Sequence, residues 1–264
     1  MKLEGKVIVV TGAGSGMGRE IVLQMVDRGA LVAAVDMNEE SLEQTKSMAT
    51  RNVEVFVLDV TDSKSAKTLP KKVIAEFNQV DGLVNNAGII QPFVKISELT
   101  RDQAEKVMNV NFWGVFDLTK AFLPELAKRP EAHILNVSSM GAYAPVPGQS
   151  VYGASKAAVK LFTEGLRSEL MDTNIGVTIA FPGSVATNIT ENSGIDIPEG
   201  SEDQADKFKP MPARDAAKLM VDAFESGKPR VTVGKDATFM DRYSRFSPVG
   251  AANLIYKQMK SLLG

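Results

Sequence analysis

The chain of 264 residues contains no cysteine, which excludes disulfides, thiolate nucleophiles and cysteine-ligated metals together. A single histidine, His133, is too few for a zinc site or a Ser-His-Asp hydrolase, so no metal site is expected. Charge of one sign is missing too. Thirty Lys and Arg stand against 32 Asp and Glu, so no global field draws the chain onto nucleic acid. Uncharged apolar runs stop at five or six residues, far short of the roughly 20 that cross a bilayer. The opening MKLEGKVIVVTG lacks a long apolar region with a small-residue cleavage site. A cytoplasmic protein without a nucleic-acid partner is the expectation.

What is present is an ordinary core-forming composition, 44% apolar and 23% charged, which argues against disorder and coiled coil. Short β-branched runs at Val7–Val10, Leu31–Val35, Val53–Leu58, Gly82–Val84, His133–Val137, Val177–Phe181 and Val231–Val233 read as strands. Between most of them lie helical stretches rich in Ala, Leu, Glu, Lys and Met. This βαβ rhythm predicts an α/β class, a single doubly wound domain over 1–264 with a seven-stranded, mostly parallel sheet and helices on both faces. One stretch breaks the rhythm. Asn188 to Met211 is too long for a routine loop and reads as a substrate lid over about 188–211. Its Glu191, Asp196, Glu199, Glu202, Asp203 and Asp206 outweigh Lys207 and Lys209, which disfavours a strongly anionic substrate.

The first strand runs into Thr11-Gly12-Ala13-Gly14-Ser15-Gly16-Met17-Gly18 and then a helix. A strand leading through a glycine turn into a helix N-terminus aims unpaired backbone N–H groups and the positive end of the dipole at one point, which suits a pyrophosphate. The spacing departs from G-x-G-x-x-G, because Met17 stands where the third glycine would fall; a glycine-rich turn with no ligand is the plain alternative. Asp36 closes the second strand 18 residues after Gly18, near the ~20-residue spacing at which a carboxylate meets an adenosine ribose. With Met37 and Asn38 beside it and no Arg or Lys, it would repel a 2′-phosphate, so NAD is expected over NADP. Its other reading is a helix cap.

Taken with Asn85-Asn86-Ala87-Gly88, Asn111, Ser139, Tyr152-Gly-Ala-Ser-Lys156 and Pro182-Gly183 through Thr187, the glycine loop resembles the short-chain dehydrogenase/reductases in order and spacing across essentially the whole chain. That resemblance implies a Rossmann fold and an NAD-dependent oxidoreductase moving a hydride between nicotinamide and a secondary alcohol or ketone. It implies Tyr152 as general acid/base, Lys156 as its partner and ribose ligand, Ser139 holding the substrate oxygen, and Asn111 holding a water. Cofactor contacts are implied at Gly12, Ser15, Gly16, Met17, Gly18, Asp36, Asp59, Val60, Asn86, Ala87, Gly88, Tyr152, Lys156, Pro182, Gly183, Val185 and Thr187. Physical sense supports the pair: residues four apart on a helix share a face, and an ammonium beside a phenol favours phenolate. Ser138 and Ser139 point opposite ways along a strand, and the spacing to Tyr152 selects Ser139. Asn109 is the decoy for Asn111.

Two other functions stay open: a 3-oxoacyl thioester (acyl-carrier-protein) reductase, and a dinucleotide-binding protein that has lost turnover. Ile90, Phe93, Met140, Tyr143, Val146, Gln149 and Ser184 are candidate substrate walls, mostly apolar. Val107 to Leu126 reads as one helix, apolar around most of its circumference, which implies a second buried face and a homodimer or homotetramer. From Ser226 to Gly264 the chain carries seven Lys/Arg and two Asp, with Leu254, Ile255, Met259, Leu262 and Leu263 as a stripe. Such a stripe is expected to pack against protein rather than membrane.

Overall fold

A computed structural model describes residues 1–49, 51–195 and 210–260. Seven strands form one sheet: β1 (Val7–Thr11), β2 (Leu31–Asp36), β3 (Val53–Val57), β4 (Gly82–Asn85), β5 (Ala132–Val137), β6 (Ile175–Pro182) and, last in the chain, β9 (Arg230–Val233). Their order is β3-β2-β1-β4-β5-β6-β9 and every pairing is parallel. All seven strands read from the sequence are present, with ends moved by one or two residues. They form because the sheet is covered on both faces: β1, VIVVT, and β5 are buried along their whole length, which β-branched and apolar side chains tolerate best.

Helices α1 (Gly16–Asp27), α2 (Glu39–Ala49), α3 (Ser63–Phe77), α4 (Arg101–Met108), α5 (Gly114–Leu126), α6 (Ser150–Glu169) and α8 (Ala213–Glu225) make the crossovers. α1 and α8 pack together over one face, where Val22, Met25, Met220 and Phe224 are fully buried. α3 and α5 pack over the other with Leu69, Val73, Leu118 and Phe122. Two further helices, α9 (Lys235–Phe246) and α10 (Pro248–Met259), pack Met240, Ala251 and Ile255 against Ala144, with Leu254 and Met259 alongside. The apolar stripe of the tail is thus spent on the protein's own surface as far as Met259; Leu262 and Leu263 lie outside the described residues.

One expectation is modified by the structure. The stretch Val107 to Leu126 is not one helix: a π-helical turn, Asn109–Trp113, separates α4 from α5. Within it Asn111, four residues from the buried Val107 and Val115, is fully buried, while Asn109, two residues earlier, is exposed. Within the interval 188–211 lie a short helix α7 (Ile189–Ser193) and strand β8 (Met211–Pro212), which pairs with β7 (Val185–Ala186); residues 196–209, with five of the six acidic side chains, lie outside the described residues.

No helix among the described residues is long and apolar enough to cross a membrane, and no group of three His, Cys, Asp or Glu there could hold a metal ion.

Candidate active site

The strand order reverses at β1, which has β2 on one side and β4 on the other, so the carboxyl ends of β1 and β4 open a crevice. Thr11 closes β1 and is buried. Its hydroxyl accepts from the Asn86 and Ala87 backbone N–H groups (3.0 and 3.1 Å), fixing the Asn85–Gly88 turn against the glycine loop. Gly12 has φ +66, and a Cβ there would sit 2.9 Å from Asn86 Nδ2; one on Gly18 would run into the Gly12 carbonyl oxygen. Only glycine lets the turn and α1 approach this closely. Ser15 is the N-cap of α1 but its side chain makes no capping bond, and its Oγ instead accepts from Asn192 Nδ2 at 2.8 Å. Met17 packs on the core side of the loop.

Asp36 ends β2 with one carboxylate oxygen taking the Gly14 N–H (3.0 Å) and the other the Asn38 N–H (3.1 Å). It is therefore both a loop anchor and a charge at the rim. Arg19 donates to the Gly14 carbonyl and to Thr45 Oγ1, so its guanidinium is engaged on the loop's outer side. Thr187 lies over Gly16, and Ser184 N and the Gly183 backbone sit against the Asp236 carboxylate. Val185 is packed on the core beside them, and Pro182 ends β6. Asp59 and Val60 are the two residues not tied to this line. β3 ends at Val57; the Asp59 carboxylate takes the Thr61 N–H and hydroxyl, and Val60 packs on Gly114 of α5.

The reactive side chains gather one strand further on. Ser138 and Ser139 follow β5, and alternation sends them apart: Ser138 Oγ donates to the Lys156 carbonyl (2.8 Å), whereas Ser139 Oγ stands beside Gly141 and the Tyr152 ring. Gly141 marks the junction, since a Cβ there would lie 3.3 Å from the Tyr152 ring and 3.5 Å from Ser139 Oγ. Gly88 marks the next, being 3.0 Å, by the same measure, from Lys156 Nζ and 3.3 Å from Asn111 Oδ1. Ser139, Tyr152, Lys156 and Asn111 are thereby brought to one place at the carboxyl edge. Asn111 is clamped: it exchanges two bonds with the Ile89 backbone (both 2.9 Å) and donates to Ser155 Oγ.

Electrostatics here are set by burial. Lys156 is 4% exposed, donates to the Val137 carbonyl at 3.1 Å, and desolvation alone lowers its pKa to about 8. Burial raises the Tyr152 phenol above its ordinary value, and the Ser139 hydroxyl pulls it partly back. Burial thus holds the phenol in its protonated form in the cofactor-free protein. The crevice fits a nicotinamide dinucleotide on its own geometry: a glycine cradle that side chains would fill, a buried Asn86 Oδ1 with no protein partner, and a buried ammonium facing Gly88. Asn86 Nδ2 is already committed to the Thr11 and Gly12 carbonyls, so only its oxygen is available.

Among the candidate walls, Ile90 is buried at the crevice, and Met140 and Val146 pack toward α9 and α10. Tyr143 is anchored as well as facing a cavity. Its ring lies on Phe181 (5.4 Å) and its hydroxyl donates to the Ala237 carbonyl, with burial pushing its pKa well up. A 380 Å³ cavity bounded by Gly141, Tyr143, Val146, Gln149, Gly153 and Ala157 lies between the loop after β5 and the first turns of α6. Three residues that the sequence did not mark join the site's edges: Asn192 and Ser193 of α7, which reach Ser15 and the Ile90 N–H, and Gln91. A residue joined to the site only through contacts some 60 to 180 positions away leaves no local pattern to find.

Sequence comparison bears on this geometry directly. The short chain dehydrogenase family profile matches residues 6–197. SadH of Mycobacterium tuberculosis, named as an oxidoreductase, is 35% identical over 251 residues, covering 92% of this chain and 91% of its own. The 3-oxoacyl-[acyl-carrier-protein] reductase FabG of Thermotoga maritima is 36% identical over 78% of this chain and 82% of its own. Among solved structures, a short-chain dehydrogenase/reductase from Burkholderia phymatum in complex with NAD superposes with TM-score 0.84 at 25% identity, covering 93% of this chain and 95% of that one. One from Burkholderia cenocepacia in complex with NADP gives 0.80 at 26% identity, covering 97% and 99%. A glycine cradle at the sheet's switch point, a Ser/Tyr/Lys/Asn cluster beside it and these similarities over nearly the whole length agree: the chain belongs to the short-chain dehydrogenase family of oxidoreductases.

Proposed function

We propose that the protein is an NAD-dependent dehydrogenase that interconverts a secondary alcohol and a ketone, with Tyr152 as the general acid/base. The observation that carries this reading is the convergence of the Ser139 hydroxyl, the Tyr152 ring and the buried Lys156 ammonium around Gly88 and Gly141. When bound, the nicotinamide supplies or accepts the hydride. The protein's residues do the rest. Ser139 Oγ orients the substrate oxygen, the Tyr152 phenol takes or returns its proton, and Lys156 holds the nicotinamide ribose, its charge adding to that of the oxidised ring in favouring phenolate. Asn111, held by Ile89, sets the geometry beside Lys156. Gly12, Ser15, Gly16, Met17 and Gly18 carry the pyrophosphate, Asn86, Ala87 and Gly88 the neighbouring sugar, and Pro182, Gly183, Val185 and Thr187 the carboxamide side.

NAD is proposed over NADP because Asp36 places a carboxylate at the rim, against the position a 2′-phosphate would take. The NAD complex of the Burkholderia phymatum relative accords with this; the NADP complex of the Burkholderia cenocepacia relative is why Asp36 needs its own test. The Thermotoga maritima relative favours a second reading, a 3-oxoacyl thioester reductase, in which the same side chains would act on a β-ketone. Self-association is proposed from an aromatic cluster of Phe112, Trp113, Phe116 and Phe162 beside exposed Leu161, with Trp113 49% exposed. A cytoplasmic location is proposed with it. Tyr152→Phe should cut turnover of secondary alcohols by about 10²–10⁴-fold while NADH still binds. Full activity in that variant would overturn the reading, and turnover of a 3-oxoacyl thioester well above that of simple ketones would favour the second.

A further inference from the structure

The helix that carries Tyr152 and Lys156 begins without a cap of its own. α6 starts at Ser150, and its N-cap, Gln149, makes no side-chain bond to the first turn. Such a start leaves up to four N–H groups in need of acceptors. Two of them are taken by a side chain from another part of the chain: Gln91 Oε1 accepts from Val151 N (2.7 Å) and from Tyr152 N (3.0 Å). The other end of that amide donates to the Gly148 carbonyl (2.8 Å), and Gln149 Nε2 donates back to the Gln91 carbonyl (2.7 Å). Gln91 is 1% exposed and Gln149 4%. The two glutamines thus clasp the loop after β4, which leads from Gly88 along the crevice, to the first turn of α6.

We propose that Gln91 is a positioning residue for the reaction: by capping α6 from outside with a neutral acceptor, it fixes the Tyr152 backbone against the crevice without placing a charge beside the phenol. This rests on the role given to Tyr152 above. Of the four hydrogen bonds in this buried patch one holds the Tyr152 N–H directly, and a reacting group displaced by ~1 Å loses rate by roughly 10²-fold. An acidic cap, the more usual choice at a helix N-terminus, would satisfy the same N–H groups and the dipole. It would also disfavour phenolate one residue away. The groups facing the phenol are the Ser139 hydroxyl beyond β5 and Lys156 from its own helix, and no carboxylate acts on it among the described residues.

The test uses full-length protein with Gln91→Ala and Gln91→Glu, and Tyr152→Phe in parallel. Gln91→Ala should lose kcat for a secondary alcohol by about tenfold or more, with the NADH Kd within about twofold of wild type. Gln91→Glu keeps the volume and the acceptor but gives up the donor to the Gly148 carbonyl, so both variants are first shown by circular dichroism to be folded. The ultraviolet tyrosinate titration of Gln91→Glu with NAD bound, read as the difference from the Tyr152→Phe protein, should move to higher pH than wild type, and this needs no known substrate. A merely structural glutamine would lower thermal stability while leaving the tyrosinate titration of the folded protein in place. Coincident titrations for Gln91→Glu and wild type, or Gln91→Ala turnover equal to wild type, would overturn the proposal. An active Tyr152→Phe would instead overturn the reading it rests on.

Discussion

Replacing Lys156 by Met should make the protein more stable at neutral pH while removing its proposed activity, and the gain in stability should vanish in alkali. The side chain is 4% exposed, and burial holds its pKa at about 8 against 10.5 for an ordinary lysine. Above about pH 10.5 folded and unfolded chains both carry the neutral amine, so burial costs nothing through ionisation. As pH falls from 10.5 to 8 the unfolded chain takes up the proton and the folded chain does not, so stability is lost across that window and the loss is complete below it. At about 1.4 kcal/mol per pH unit the difference is about 3 kcal/mol. Methionine fills a similar volume without charge, but it leaves the Val137 carbonyl without the Lys156 donor, which costs about 1 kcal/mol. The net gain is about 2 kcal/mol, or roughly 5 °C in Tm for a chain of this size. Calorimetry of cofactor-free wild type and variant at neutral pH and near pH ~10.5 measures both limbs. A variant that melts no higher than wild type at neutral pH, or whose advantage persists unchanged in alkali, would refute the argument.

Asp36→Ser should lower the preference for NAD over NADP, read as the ratio of kcat/KM values, by about tenfold or more, since about 1.4 kcal/mol of charge repulsion is relieved; an unchanged ratio would mean the carboxylate serves only Gly14 and Asn38. Gly18→Ala should weaken NADH binding by at least about tenfold in a fluorescence titration, because the new methyl meets the Gly12 carbonyl and α1 must shift, whereas Gly165→Ala, in open space on α6, should add roughly 0.5–1 kcal/mol of stability. His133 should make the fold acid-sensitive. Thr178 gives its hydroxyl proton to the Lys228 carbonyl and so accepts from His133 Nε2 (2.7 Å), leaving the imidazole neutral with a pKa lowered by burial to about 4. Stability should be full above pH 6.5 and fall by about 3 kcal/mol as the pH drops through 4, and urea midpoints of His133→Gln should show a flatter acid limb.

The strands were legible because most are short apolar runs rich in Val and Ile, and the central ones, β1, β4 and β5, are buried along their whole length. The glycine loop was legible for a related reason: Gly12 and Gly18 touch Asn86 and each other so closely that any Cβ would intervene, so the requirement is written as residue identity. Asn111 was legible as a residue but not as a geometry. Asn109 and Asn111 face nearly opposite ways in any helix, and Asn111 shares the face of Val107 and Val115, but the π turn that carries it has no sequence mark. The same turn divides the apolar run that read as one helix, leaving Trp113 half exposed and Val115 buried two residues on. Gln91 was not legible at all. It stands before Pro92 in a loop, and its meaning comes from Gly148, Val151 and Tyr152, nearly 60 positions away.

The four-residue spacing of Tyr152 and Lys156 carried adjacency but not the sign of its effect on the phenol. An ammonium beside a phenol lowers its pKa only as far as the ammonium is itself charged and the phenol solvated. Here both are buried, the lysine is held near pH 8 and the phenol is raised rather than lowered. In the cofactor-free protein the phenol should therefore stay protonated at neutral pH. Acidification of Tyr152 then has to come with occupancy of the crevice by a cationic ring, so binding and proton transfer are linked: the protein that binds NAD should release part of a proton on doing so, and the protein that binds NADH should not. Proton release measured in weakly buffered solution, equal for the two cofactors or absent with both, would place the source of the acidity elsewhere than at this pair.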